Sequence, residues 1–475
     1  MTPPTILHCL AQLPTRTGSG IYYHNLLAEF KKALPGRQLA LYGIVGDEEG
    51  KSLSTGLASE LATDRTSELA TRPTTGLDTG LAADRHFSVR FSNPGVVAFS
   101  SSASSSGTVS SSSVSSISSS ASSPDLPFSI CGMSDEMPYP STVFSQMTAK
   151  QLDLYQEVFR QKLEEIRSQE KPDLIICHHL WILTHLVLEV FPDLPVLAIC
   201  HGTDLRQARQ NPALKAKYVG NLQGLAGVAA LSSLQVPEIA ESYKIDPRQI
   251  RVTGGAYDPQ IFYPADRVQP PRSGAINYLY AGKISHAKGV YELAEAFNRL
   301  SQDLPQAHLD IVGGAGPEVR QKIADRSKHN PRISFWDVED QEVLAQHMRH
   351  SDIFVLPSYY EGLGLIALEA LASGLRLVVT DLPALREQMG PDLASHPSIS
   401  WVPMPPLQNL DEPLPAAIPD HINNLKAALL DQAVRLQASG RPIGVEKLVS
   451  QHSWSGLARK ICRFITNQTG LDLGL

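Results

Sequence analysis

Pro357-Ser358-Tyr359-Tyr360-Glu361-Gly362-Leu363-Gly364-Leu365-Ile366-Ala367-Leu368-Glu369-Ala370-Leu371-Ala372-Ser373-Gly374 is the stretch on which the fold turns. It follows the apolar run Ile353 to Leu356, which reads as a buried strand. Pro357 ends that strand because it has no backbone N–H for the ladder. Gly362 and Gly364 form a loop in which backbone N–H groups can approach a ligand closely. A helix then opens near Leu365, and its N-terminus supplies unpaired donors and positive potential suited to a diphosphate. Glu369 falls about one turn into the helix, and Glu361 lies in the loop before it. A loop that folds back turns both carboxylates to one pocket, and a carboxylate suits paired hydrogen bonds to ribose hydroxyls. A bare E-x7-E is usually an ordinary acidic helix start. The strand and the glycine loop around this one favour a ligand site.

Upstream lies Tyr280-Ala281-Gly282-Lys283-Ile284-Ser285-His286-Ala287-Lys288-Gly289. Two cations five residues apart after a strand are what a diphosphate needs, each charge-assisted contact being worth about 1.5–3 kcal/mol. Together the two stretches resemble the retaining GT-B glycosyltransferases of family 4, with their E-x7-E signature and G-R-L-x-x-x-K-G turn. The resemblance extends over most of residues 270 to 390. It departs at Lys283, where the family usually has Arg; the charge stays but the bidentate fork is lost. Asp310-Ile311-Val312-Gly313-Gly314-Ala315-Gly316-Pro317 resembles the family's I-V-G-x-G-P turn and is read as a strand-to-helix connection.

The resemblance implies a nucleotide-diphosphate sugar as donor, most commonly a UDP-sugar, and retention of the anomeric configuration. It implies Lys283, Lys288 and the backbone of Gly362, Leu363, Gly364 and Leu365 on the diphosphate. It puts Glu361 beside the transferred sugar, Glu369 on the ribose and Val338 near the base. No metal and no cofactor are implied. The acceptor, a small molecule, a glycan or a lipid, is not legible. The enzyme class implied is a hexosyltransferase.

Outward from the signature, strands and helices alternate at a spacing that predicts parallel, doubly wound sheets. In the second half the expected strands are Ile276–Tyr280, Leu309–Val312, Ile333–Trp336, Ile353–Leu356 and Leu377–Thr380. The first half opens with a strand at Ile6–Leu10, a Gly/Thr-rich turn at Pro14–Gly20 and a helix from Ile21. The alternation predicts two Rossmann-like domains facing a cleft, and the resemblance implies the GT-B architecture for them. The boundaries are residues 1–262, a linker at 263–273, residues 274–446, and a C-terminal helix at 447–475 that crosses back. Val252 to Pro264 resembles the family's hinge-proximal segment, with Gly254 in place of Asn.

Gly20, in the first turn, matches the family's glycine-rich loop beside donor and acceptor. His201 ends the apolar strand Val196–Cys200, where the family often places a histidine on the donor sugar. His178 and His179 also end a strand but read as ordinary polar residues. His201 and Asp204 alone are not a metal signature. Residues 130–144, with Asp135, Met137, Tyr139 and Pro140, could form an acceptor-side loop.

Residues from about 47 to 125 break the pattern with repeated Thr-Gly-Leu-Ala phrases and a serine tract at 100–123. Such a segment buries too little apolar surface to offset its ordering entropy, and a disordered insertion is expected. The whole chain has 475 residues, is 42% hydrophobic and 19% charged, and carries a net charge of −7, which argues against a nucleic-acid surface. Contact with a membrane surface through a small basic patch stays open. The five cysteines are scattered, with no CxxC pair, and read as reduced core thiols. The first ten residues do not read as a signal peptide, and a cytoplasmic protein is expected. The lysine pair argues against a glycoside hydrolase. Tyr23 stands where the third glycine of a Rossmann oxidoreductase would be. A non-catalytic scaffold would not need both glutamates and both cations. Oligomeric state is not fixed by the sequence.

Overall fold

The structure is a computed structural model that describes residues 3–14, 17–45, 81–92, 124–134, 137, 139–265, 274–314, 316–338, 340–409, 411–442 and 444–473. The chain divides into two compact units. The first comprises residues 1–230, 234–251 and 462–475, and the second 231–233 and 252–461.

The first unit is built on a sheet of β1 (Thr5–Leu10), β2 (Arg37–Val45), β3 (Arg85–Phe91), β6 (Leu174–His178), β7 (Val196–Cys200), β8 (Gly227–Ala230) and β9 (Ile250–Val252). A separate two-stranded piece pairs β4 (Cys131–Gly132) with β5 (Thr142–Val143). The order across the large sheet is β3-β2-β1-β6-β7-β8-β9. All its registered pairs are parallel. The chain winds outward from β1 to β3 and then returns to the other side of β1 at β6. That reversal is the switch point where ligands collect in such sheets.

Every residue of β6 and of β7 is buried, as strands covered on both faces require. The helix Ala149–Glu170 covers one face with Leu152, Tyr155, Phe159, Leu163 and Ile166. Thr148 and Gln151 close its N-terminus as a reciprocal capping box. Residues 462–475 pack within this unit, and Phe464 lies so close to Gly227 that any side chain there would strike its ring.

One expectation is corrected here. Within the stretch read as a disordered insertion, residues 85–91 form β3, paired to β2 from Leu39↔Arg85 to Val45↔Phe91. The alternating burial of Arg85–Phe91, with Phe87, Val89 and Phe91 inward, is a half-buried edge strand. Leu126 continues that edge by a bridge to Phe91. The remainder of that stretch, 46–80 and 93–123, lies outside the described residues, as do Asp135 and most of the expected linker.

The second unit holds β10 (Ile276–Ala281), β11 (Ala307–Val312), β12 (Ile333–Trp336), β13 (Ile353–Leu356), β14 (Arg376–Thr380) and β15 (Ile399–Val402). They form one sheet in the order β12-β11-β10-β13-β14-β15, all parallel. Two apolar cores cover its faces, one around Leu279, Phe354 and Leu368, the other around Tyr278, Phe297 and Val355. The topology repeats that of the first unit. The chain runs outward from β10 to β12 and returns beside β10 at β13, so the turns after β10 and β13 become neighbours. No helix among the described residues is long and apolar enough to cross a membrane.

Candidate active site

In the second unit the two loops singled out in the sequence meet at the switch point. After β10 the chain makes one tight turn, His286–Lys288, which ends at Gly289 with φ +63°. A Cβ on Gly289 would overlap the carbonyl oxygen of Pro357, so glycine lets the two turns touch. Tyr359 N donates to Ala287 O at 2.9 Å and pins them together. Lys288 Nζ donates to Glu361 Oε1 at 2.7 Å and to Tyr360 O at 3.2 Å. Ser358 Oγ donates to the same carboxylate oxygen at 2.6 Å. Lys288 and Glu361 thus form one partly buried ion pair whose side chains are 26% and 13% exposed.

Beyond that pair, Gly362 is exposed and Gly364 buried. Gly364 takes φ +60° and is the N-cap of the helix Leu365–Ala372. That cap has no side chain to satisfy the first turn, which leaves backbone donors of a kind an anion can use. Leu363 and Leu365 lie against Gly255, where an added Cβ would come within 2.9–3.1 Å of their methyl groups. Glu369, on the second turn of the helix, is half-buried, and burial pushes its carboxyl up to about 7.

Lys283 is exposed, and its carbonyl accepts from Tyr280 Oη at 2.8 Å. Its turn is fixed from the other side by Gly313. A Cβ on Gly313 would overlap Gly282 O, so the turn after β11 packs backbone to backbone on the turn after β10. Gly313 N in turn donates to Trp336 O at 2.9 Å. The Gly313 turn leads from β11 to the helix Pro317–Arg326, the strand-to-helix connection read from the sequence. Val338 follows two residues after Trp336 and packs partly buried on the apolar core. The structure thus joins Lys288 directly to Glu361. It carries Lys283 and Val338 on turns linked through Gly313, and Glu369 on the helix that Gly364 caps. Ser358 and the Tyr360 carbonyl were not singled out, since nothing in a sequence shows which atoms a lysine will meet.

The first unit has its own polar cluster at its switch point. His178 ends β6, His179 follows with φ +74°, and His201 follows β7. His178 Nδ1 and His201 Nε2 are 3.1 Å apart. The two rings stack with centroids 5.3 Å apart, and His179 lies 4.7 Å from His201. Asp204 holds the backbone beneath them. Its carboxylate accepts from Leu180 N at 3.0 Å and from His201 N at 3.3 Å. Burial lowers the imidazole pKa of all three, to about 3 for His179 and His201, and neighbouring imidazoles push His178 and His201 the same way. All three are neutral at physiological pH. The adjacent His178 and His179, read as ordinary polar residues, are thus partners of His201. Their position at a strand's C-terminal end was the available signal.

The helix boundary near Gly20 differs from the expectation. The helix starts at Gly18, inside the segment read as a turn, with Thr17 as N-cap. The Gly20 N–H donates to Thr17 Oγ1 at 3.0 Å, so it is already engaged. Ser19 Oγ donates to Gln12 at 3.0 Å and ties the same turn down.

Two units, each a parallel sheet wound outward and back with polar residues at its switch point, are the GT-B architecture. Solved structures share it over nearly the whole chain. Sucrose-phosphate synthase from Thermosynechococcus elongatus matches at a TM-score of 0.54 and 16% identity, covering 98% of this chain and 99% of that one. A glycosyltransferase from Rickettsia africae matches at 0.56 and 14%, covering 99% and 100%. HepE from Anabaena, solved with UDP and glucose, matches at 0.52 and 13%, covering 98% and 99%.

Residues 275–396, the segment that carries both loops of the second unit's site, match the family model described as Glycosyl transferases group 1. A glycogen synthase of Mycobacterium tuberculosis is 29% identical over 230 residues, 46% of this chain and 54% of that protein. A D-inositol 3-phosphate glycosyltransferase of Pseudarthrobacter chlorophenolicus is 27% identical over 249 residues, 47% of this chain and 59% of that protein. The similarity thus spans little more than half the length of these curated relatives.

Proposed function

We propose that this protein is a glycosyltransferase that moves a sugar from a nucleotide-diphosphate donor to an acceptor hydroxyl, with retention at the anomeric carbon. The observation that carries the reading is the Lys288–Glu361 pair, 2.7 Å apart at the mouth of a helix with an unfilled N-cap, inside the segment similar to group 1 glycosyl transferases. A UDP-sugar is the first donor to test, because HepE, which shares the fold, was solved with UDP and glucose. The acceptor is a small molecule, a glycan or a lipid.

As the bond between C1 of the sugar and the diphosphate breaks, negative charge grows on the departing diphosphate. Lys288, Lys283 and the backbone donors from Gly362 to Leu365 stabilise that charge. Groups fixed in place before the reaction need no reorganisation, which makes this kind of stabilisation large. Glu361 stays beside the sugar, oriented by Ser358 and Lys288. Glu369 takes the ribose hydroxyls. His201, in the first unit, takes a sugar oxygen.

The test is titration calorimetry with UDP and UDP-sugars on the full chain. Lys288→Ala and Glu369→Ala should each weaken binding while far-UV circular dichroism stays unchanged. Binding that survives both substitutions would refute the assignment of the site. A panel of nucleotide sugars screened by thermal shift selects the donor, since a ligand of the folded state raises its stability. Proton NMR of the product's anomeric signal tests retention.

A further inference from the structure

The three clustered histidines of the first unit, His178, His179 and His201, carry more than a contact surface. Neutral imidazole holds one proton, on Nδ1 or on Nε2, and its partners decide which. His178 and His201 are both neutral and share one hydrogen bond, Nδ1 of His178 to Nε2 of His201, at 3.1 Å. One proton lies between them, and two arrangements are open.

In the first arrangement His201 Nε2–H donates to His178 Nδ1. The proton of His178 then sits on its Nε2. That atom is buried and has no hydrogen-bond partner among the described residues. In the second arrangement His178 Nδ1–H donates to His201 Nε2. His178 Nε2 is then a bare lone pair, and the proton of His201 sits on Nδ1. A buried N–H without an acceptor is rarer and costlier than an unused lone pair. The second arrangement is favoured.

The environment holds it in place. His178 is 2% exposed at the end of a fully buried strand. Tyr23 packs edge-on against it with centroids 5.1 Å apart. Asp204 fixes the backbone of His201 and of Leu180, two residues after His178, with one carboxylate oxygen. His201 is half-buried, unlike His178. Its Nδ1 makes no hydrogen bond to any described residue, so it is the nitrogen left for a ligand. A metal reading does not fit, since two of the ring nitrogens are spent on each other and no metal-holding group of His, Cys, Asp or Glu occurs among the described residues.

We infer that His178 is a positioning residue that locks the tautomer of His201, so that His201 presents Nδ1–H to an oxygen of its ligand. His201 is thereby a hydrogen-bond donor with no lone pair on that nitrogen, and it cannot act there as a base. That the oxygen belongs to the donor sugar rests on the proposed function; the tautomer does not.

The first experiment is long-range proton–nitrogen NMR on the full chain labelled with nitrogen-15 in histidine, with His201 assigned by its loss in His201→Gln. The wild type should show the Nδ1–H pattern for His201. His178→Phe, which removes the donor, should return it to a mixture or to Nε2–H. His178→Gln, whose amide can donate from the same place, should restore Nδ1–H and serves also if the Phe variant does not fold. Nε2–H at His201 in the wild type, or no change in His178→Phe, overturns the inference.

The second experiment compares donor sugars in which one hydroxyl is replaced by fluorine or by hydrogen. Fluorine can accept but not donate. At the position His201 meets, the deoxy donor should lose roughly tenfold in kcat/KM while the fluoro donor loses less. That difference should vanish in His201→Phe. Equal losses for both analogues at every position would overturn the sugar assignment while the NMR result still decides the tautomer.

Discussion

Replacing Gly289 by Ala tests the geometry on which the candidate active site depends. Gly289 has φ +63°, and a Cβ there would overlap Pro357 O and lie 3.0 Å from Pro357 C. The left-handed conformation alone costs a non-glycine residue about 1–2 kcal/mol. Pushing two backbone segments apart adds about 1–3 kcal/mol, the usual range for overpacking. The overlap should therefore cost about 1–3 kcal/mol beyond the left-handed strain, which is roughly a further 5- to 150-fold increase in local opening. A chain of two units need not unfold in one step, so opening is best read by hydrogen exchange in the helix next to the glycine, Val290–Asp303. Gly289→Ala should also weaken UDP binding, because the displaced turn carries Lys288 away from Glu361. A loss in that helix no larger than the left-handed strain of about 1–2 kcal/mol would refute the close approach of the turns.

Lys288→Ala should weaken nucleotide-diphosphate binding by roughly 10- to 150-fold, as expected for one charge-assisted contact. Calorimetry at low and high salt checks it, with the larger loss at low salt. Ser358→Ala removes one of the two donors on Glu361, and it should lower kcat more than donor affinity in steady-state kinetics. Glu369 titrates near 7 when folded and near 4.5 when unfolded, so the folded state binds more protons between those values. Glu369 therefore contributes a fall in stability as pH rises from 4.5 to 7, opposing the rise that buried neutral histidines such as His179 and His201 contribute over the same range. Glu369→Gln removes the falling contribution, so its stability should climb more steeply with pH than that of the wild type in urea unfolding followed across that range. His201, held neutral far below physiological pH, should contribute no inflection to the kcat/KM profile between pH 5 and 9; His201→Gln should lower the curve without changing its shape.

The amino-acid sequence by itself determined the fold class of this protein. Apolar runs separated by helix-period segments require parallel sheets covered on both faces, and β6, β7, β13 and β14 are fully buried as that pattern demands. Pro357, Gly362 and Gly364 mark the strand end, the loop and the helix start from local chemistry alone, and each stands where that chemistry put it. The tertiary structure alone decided which of these local features meet. Lys288 and Glu361 are 73 residues apart, and they touch because β13 returns beside β10 instead of following β12 at the sheet edge. His178 and His201 pair for the same reason, across neighbouring strands β6 and β7. β3 was passed over although Phe87, Val89 and Phe91 alternate with His86, Ser88 and Arg90, because so short a strand lies inside low-complexity sequence, and the β2 ladder is what shows it to be one. The start of the first helix was misplaced for the opposite reason: a local cap by Thr17 begins it at Gly18, inside the segment read as a turn. Local steric and capping preferences are properties of a few adjacent residues and can be read directly. Strand order is set by which arrangement of the whole chain buries the most apolar surface, and no short window of sequence contains it.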